Sequence, residues 1–343
     1  MMKPLIFASL GLATFTTSAG ELRFAPEADL TLKKSVTVTR ETTTDTCDFS
    51  IDDQEFPIKT GLRHTSTFEL VVEDTYVKVE DARVQELSRS FERVQRAHEY
   101  KDVPENVSVQ VESDDTDPME GLAVRFTWNE EEEEYDRKFE DDSEETDEAW
   151  LEGLIVDFDF QDFLPDDEVE LEGSWSIEAA AFLSALNPGG DWSWDSDDEE
   201  DDGDDGTVRI FLPGAPDEVL REALEGDVTA TFVELEGDLA TIEIEVELEA
   251  ELELVTELDE QFADEDDAER SFSEADGTLG YEGKGTLVWN VKRGTFETLE
   301  FELDVERSLS ATWTNSKVVD GEVDLELYSE DSGVLNLSAT AGA

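Results

Sequence analysis

The sequence predicts a mainly β protein: a large, curved antiparallel sheet or open barrel whose apolar concave face is covered by one or two helices. Three observations lead there. Apolar and acidic residues alternate at every second position over long stretches. The connections between these stretches are mostly short and rich in Gly, Asp and Glu, which suits antiparallel neighbours better than βαβ crossovers. Segments with helical spacing are few.

The clearest stretch is 241–254. Ile242, Ile244, Val246, Leu248, Ala250, Leu252 and Leu254 take every second position, and Glu243, Glu245, Glu247, Glu249, Glu251 and Glu253 fill the gaps. A period of two over this length means one long strand with an apolar face and a glutamate face. Glutamate is a poor strand former, so burial of the other face must drive it. The same grammar recurs at Leu299–Glu306, Val156–Phe160 and Val323–Leu327. Leu287, Trp289 and Val291 share a face, and Lys292-Arg293-Gly294 then turns the chain into a strand near Phe296, a hairpin signal. Earlier strands are expected at Leu30–Thr39, Ser66–Val79, Val107–Val111 and Leu122–Trp128.

Three helices are expected. One is capped by Asp81 and runs to about His98, with Val84, Leu87, Phe91 and Val94 as an apolar stripe. A second covers Glu178–Leu186 and stops at Asn187-Pro188-Gly189-Gly190. A third, short one covers Pro216–Leu224, with Pro216 in its first turn.

Residues 1–20, MMKPLIFASLGLATFTTSAG, combine Lys3, an apolar run from Leu5 to Phe15 and small residues up to Gly20. This is the pattern of a secretory signal peptide cut near Ala19 or Gly20, and the run is too short for a membrane span. A secreted or periplasmic location follows as the expectation. The single cysteine, Cys47, forms no intrachain disulfide. Its acidic neighbours Asp45 and Asp48 disfavour a thiolate.

The chain carries 93 acidic and 24 basic residues, a formal net charge of -69. That field repels nucleic acid and anionic membranes, which need Lys and Arg to neutralise phosphate. It also calls for a salty solvent or divalent cations to screen it. With 38% hydrophobic residues, 7 Trp and 19 Phe, the composition supports a packed core rather than disorder.

Residues 191–206, DWSWDSDDEEDDGDDG, divide an N-terminal half (21–190, with the helix near 81–98) from a C-terminal half of long strands (207–343), and one sheet can continue across the division. As an EF-hand the tract fails at the twelfth position, which is Arg209. It reads either as a solvated charged insertion or as a diffuse cation site at Asp198, Glu200, Asp202 and Asp204, with calcium as the candidate ion. Trp192 and Trp194 flank it, as loop anchors or as the edge of a ligand mouth. The glutamate face of 241–254 is likewise a solvated surface, or one that holds divalent cations or a basic partner.

Catalytic patterns are thin. His64 and His98 are the only histidines, and no G-x-S-x-G occurs. Gly280-Tyr281-Glu282-Gly283-Lys284-Gly285 has the wrong spacing for a phosphate loop and reads as a turn. With so many acids, close carboxylate pairs are inevitable and carry no information about glycosidase chemistry. The expectation is a protein that is not an enzyme and needs no cofactor.

Phe163-Leu164-Pro165, Val169, Gly173 and Trp175 lead into the second helix, and Gly285-Thr286-Leu287-Val288-Trp289 with Gly294 follow downstream. Together they resemble a family of exported bacterial β-rich proteins of unknown function, with an "LP…V…G-x-x-W" segment and a "G-x-L-x-W…G" hairpin. Here Ser174 alone separates Gly173 from Trp175, a compressed form of that motif. The resemblance spans about residues 150–313, implies export and a β-rich fold, and transfers no catalytic residue.

Two function classes remain. One is a carrier whose curved sheet shelters an apolar, lipid-like ligand. The other is an acidic cell-envelope protein that holds divalent cations or meets basic partners.

Overall fold

The structure, a computed structural model, describes residues 22–52, 54–57, 60–80, 83–102, 115–140, 147–190, 217–255, 270–319 and 321–342. The expected signal peptide at 1–20, the strand at 107–111, the acidic loop 191–206 and Asp198, Glu200, Asp202 and Asp204 lie outside the described residues.

The chain forms β1 (Leu30–Ile51), β2 (Gln54–Pro57), β3 (Arg63–Glu80), β4 (Arg83–Lys101), β5 (Asp115–Thr116), β6 (Ala123–Asn129) and β7 (Glu134–Phe139). After β8 (Ser174–Ile177) come α1 (Ala179–Leu186), α2 (Asp217–Ala223), β9 (Leu224–Glu236) and β10 (Leu239–Glu253). The last three strands are β11 (Arg270–Asn290), β12 (Thr295–Val319) and β13 (Gly321–Gly342). They make one 13-stranded sheet in the order β7-β6-β4-β3-β1-β13-β12-β11-β10-β9-β8, with β2 on β1 and β5 on β4. Every pairing is antiparallel. The sheet is open, with β7 and β8 at its ends, and β1 pairs with β13 at its middle.

Alternation builds the sheet as expected. In β10 the even-numbered residues from Ala240 to Leu252 are buried, and the glutamates from Glu243 to Glu253 are exposed. Each buried Leu or Ile contributes about 1.5–3 kcal/mol, enough to offset the weak strand propensity of glutamate. The β11–β12 hairpin pairs Asn290 with Thr295. Gly294 in its turn has φ +69° and lies so close to Ala25 that a Cβ would fall 2.6 Å from that backbone. The turn thereby receives residues 22–29, and the Ala25 amide donates to the Gly294 carbonyl at 3.0 Å.

The expected helix at 81–98 is strand β4. Its apolar stripe has helical spacing for two reasons. Gln85 and Glu92 are extra residues at β-bulges, since Lys78 and Val79 pair with Glu86 and Val84, and Val71 and Val72 pair with Arg93 and Phe91. The three-residue steps from Val84 to Leu87 and from Phe91 to Val94 are therefore strand steps carrying one bulged residue. The four-residue step from Leu87 to Phe91 is two strand repeats with a buried Arg89 between them. Val156–Phe160 is not a strand either. It crosses the inner face as irregular chain, with Phe160 in the left-handed region at φ 54°. Gly280–Gly285, expected as a turn, is the interior of β11. There a Cβ on Gly285 would lie 2.4 Å from the Phe301 ring.

Residues 153–190 form an excursion, an irregular inner loop to 173 followed by β8 and α1, closed at its neck by the Leu154–Gly190 bridge and the Ile155 amide, which donates to the Gly189 carbonyl at 3.0 Å. Phe158 packs on Arg89 of β4, and Phe160 packs on Phe296 of β12 with ring centroids 4.9 Å apart. These two loop residues are only 6.4 Å apart, although four strand spacings, about 19 Å on a flat sheet, separate β4 from β12. The sheet curls, and its apolar face is the inside. α1 completes this packing through Phe182, which meets Tyr281 of β11 at 5.7 Å and Phe301 of β12 at 5.8 Å.

Candidate functional site: a buried ion cluster and the cavity beside it

Where the inner loop meets the sheet, the core contains charges. Lys34 occupies an inward position of β1 between Leu32 and Val36, and Asp74 an inward position of β3 between Val72 and Tyr76. Strand register brings Asp74 beside Arg89 of β4. Arg89 donates from Nε to Asp74 Oδ1 at 2.7 Å and from Nη2 to Oδ2 at 2.9 Å. Its outer nitrogens also donate to the carbonyls of Ile155 and Val156 at 2.9 and 3.0 Å, which holds the loop to the sheet. Lys34 Nζ lies 2.8 Å from Asp74 Oδ2 and 2.9 Å from Asp159 Oδ1. The Tyr76 hydroxyl donates to the Asp159 carboxylate at 2.6 Å. Phe158 covers both cations, 5.5 Å from Lys34 Nζ and 5.2 Å from Arg89 Cζ, in cation–π geometry.

Two cations and two carboxylates make this cluster neutral, as charge removed from water requires. Burial alone would raise the Asp74 carboxyl, but Arg89 and Lys34 outweigh it and hold it below the usual carboxylate range. Burial, reinforced by Asp159 and Asp74, pushes the Tyr76 phenol well above its ordinary value, so it remains a donor.

Asp157 stands one step outside. Its Oδ1 accepts from the Asp159 amide at 2.9 Å, and it forms no ion pair among the described residues. Burial and then Asp159 push its carboxyl up to about 7. It faces a half-enclosed cavity of about 220 Å³ between the inner loop and α1, walled by Ile155, Phe158, Phe160, Phe163, Ala185 and Pro188. Asp162 sits at the cavity's exposed mouth. Partial burial and then Asp166 raise its carboxyl too.

The other residues singled out by sequence are scattered. On the outer face, Glu247, Glu282 and Asp304 stand side by side across β10, β11 and β12, all exposed. A wider polar depression of about 400 Å³ crosses that face over Thr39, Lys284, Glu302 and Asn336. Among the described residues, no group of three or more His, Cys, Asp or Glu could hold a metal ion. Trp192 and Trp194 lie outside the described residues. His64 and His98 stack and meet through Nε2 and Nδ1 at 3.0 Å, with Tyr100 stacked on His64. Cys47 is buried, and burial followed by Asp331 and Asp48 pushes its thiol up to about 11. Among the described residues, no helix is long and apolar enough to cross a membrane.

Sequence reasoning passed over Lys34, Asp74, Tyr76, Arg89 and Asp159. A usable signal existed for two of them: Lys34 and Asp74 put a charge where the period of two demands an apolar side chain.

No family model matches the chain, and no curated protein does. Among solved structures, one of lipovitellin described for its lipid–protein interactions aligns with 90% of this chain at 7% identity and TM-score 0.28; the chain spans 25% of that structure's length. An outer membrane channel from Pseudomonas putida F1 aligns over 94% of this chain and 99% of its own at 8% identity and TM-score 0.19. Pseudomonas aeruginosa OpdQ aligns over 91% and 98% at 5% identity and TM-score 0.20. Likenesses of this degree do not bear on function, and the residues themselves must carry it.

Proposed function

We propose that this protein is an exported, non-catalytic binder that shelters an apolar, lipid-like molecule against the inner face of its curved sheet. The carrying observation is how far that face extends. The aromatic contacts of the inner loop with β12 reach Phe301, and the same inward face continues through Leu303, Val305, Leu309 and Ala311, all buried by the protein's own side chains, to Trp313, so that a ligand would enter by parting them. From Phe301 to Trp313 is about 40 Å of extended strand. Across β1 and β13 it continues as Phe49, Leu325 and Leu327. The polarity is the reverse of a membrane barrel, because acids face outward and apolar side chains inward. The non-catalytic part rests on the engagement of both histidines with each other and on the burial of Cys47. Native mass spectrometry of protein purified from its own host, with organic extraction, tests the proposal. A stoichiometric lipid-like mass, lost in a Leu309→Asp variant, is the expected result. Protein that is empty as isolated and takes up no fluorescent fatty-acid probe overturns it.

The in-register row Glu247, Glu282 and Asp304 favours a second reading, an envelope protein whose outer face meets basic partners or gathers divalent cations diffusely, with no built metal site among the described residues. Calcium retained by lipid-free protein, and released by Glu282→Gln, distinguishes it.

A further inference from the structure

The cavity beside α1 belongs neither to the buried ion cluster nor to the long inner face. Its walls are apolar and aromatic, yet it presents Asp157 inside and Asp162 at its mouth. The nearby cations are already committed: Lys34 to Asp74 and Asp159, Arg89 to Asp74 and two loop carbonyls. The Asp157 carboxylate thus has one amide donor and no ion-pair partner of its own among the described residues; Lys34 acts on it only from its pairs with Asp74 and Asp159. A half-buried carboxylate without a partner of its own is costly to ionise, and the cavity is the space from which a direct counter-charge can come. At about 220 Å³ it is smaller than a drug-sized site, so its occupant is small. The rings of Phe158, Phe160 and Phe163 suit an apolar body and the flank of a cation.

We propose that this cavity is a binding site for a small organic cation, a primary ammonium on a compact apolar or aromatic group, with the ammonium between Asp157 and Asp162. Ser184, whose hydroxyl donates to the Ala180 carbonyl at 3.0 Å, keeps lone pairs free to accept a further N–H. The site stands independently of the lipid reading.

Binding requires the ionised form of Asp157. The charged and titratable groups around that carboxylate are Asp159 and Asp162 of the same loop, Lys34 of β1 and Tyr135 of β7. Asp74 and Tyr76 of β3 and Arg89 of β4 stand behind Asp159. α1 contributes no charged side chain.

The test is calorimetric titration of the full chain with benzylammonium in 1 M NaCl, where diffuse attraction to the acidic surface is screened. One saturable site is expected at pH 8, weakening about tenfold per pH unit below about 7. Asp157→Asn, which preserves shape, and Ala181→Leu, which fills the cavity and leaves both carboxylates, should each weaken binding at least tenfold. Benzyl alcohol should bind at least tenfold more weakly than the ammonium. Circular dichroism confirms that each variant is folded. Three results overturn the proposal: no saturable binding, equal binding by the alcohol, or full affinity in both variants, which would place the ammonium on surface acids.

Discussion

Arg89 and Asp74 meet through two parallel hydrogen bonds of 2.7 and 2.9 Å, both side chains fully withdrawn from solvent in the wall of a curled sheet. The pair links neighbouring strands β4 and β3, and through the Ile155 and Val156 carbonyls it also fastens the loop that lines the interior. Its removal should therefore affect the packing of the loop as well as the sheet.

Arg89→Met leaves Asp74 with Lys34 as its one remaining cation and frees two part-buried carbonyls. A loss of about 3–5 kcal/mol is expected in urea unfolding at fixed high salt. The double variant Arg89→Met/Asp74→Leu should lose less than the sum of its single changes, because it removes the uncompensated carboxylate as well.

Tyr76→Phe deletes the donor to Asp159 and little volume. A hydrogen bond to a charged group contributes about 1.5–3 kcal/mol, and the same unfolding assay should show a loss of that size. A spectrophotometric titration of the folded wild type should show a phenol ionising later than any in the unfolded chain, and Tyr76→Phe should remove it, because Tyr76 is held well above the ordinary range by burial and Asp159.

Asp157 gives the stability a pH slope of defined sign. Its carboxyl titrates near 4 when unfolded and is pushed up to about 7 in the fold. Between these values the folded state binds the extra proton. Its contribution is therefore fully present below about pH 4 and is lost as pH rises through about 7, on the order of 4 kcal/mol in all. Asp157→Asn should remove that component. The wild-type-minus-variant difference, followed from pH 4 to 8, should fall with pH and then level off; a flat difference would contradict the cause assigned to the shift.

Gly285→Val places methyl groups where the Phe301 ring lies. Overpacking of this kind costs about 1–3 kcal/mol. Because Phe301 also touches Phe163 and Phe182, the near-ultraviolet circular dichroism of the aromatic cluster should change with it.

Glu282 is flanked across the sheet by Glu247 and Asp304 on the exposed face. Glu282→Lys should raise the thermal midpoint at low salt, and the gain should shrink in 1 M NaCl as screening takes over. Equal gains at both salt concentrations would assign the effect to something other than charge.

The strands legible in the sequence were those with one buried and one solvated face and no interruption. In β10 and β12 inward and outward positions alternate cleanly, so composition at each parity shows the fold directly. β4 misled because the bulges at Gln85 and Glu92 shift parity twice, and because the inward Arg89 looks like a surface residue. Val156–Phe160 has the right parity but no strand partner; its period of two serves to put Phe158 and Phe160 into the core, while Asp159 turns to Lys34 and Tyr76. Gly280–Gly285 looked like a turn because three glycines usually mark one, whereas Gly283 makes room for the β12 backbone at Glu302 and Gly285 for the Phe301 ring. The ion cluster depends on contacts between residues far apart in sequence, and only the misplaced charges at Lys34 and Asp74 hinted at it.

The pairing of β1 with β13 has a consequence for biogenesis. Lys33 faces Gly342 and Ile51 faces Leu325, so the seam between the two halves forms between β1 and β13, the described strands farthest apart in sequence. Until β13 is made, the β1–β3–β4 portion has an unpaired, partly apolar border, and the β9–β12 portion has another. Contacts this distant in sequence slow folding and lengthen the time those borders stay open. β13 pairs with β1 on one side and with β12 on the other, so its docking closes both borders at once.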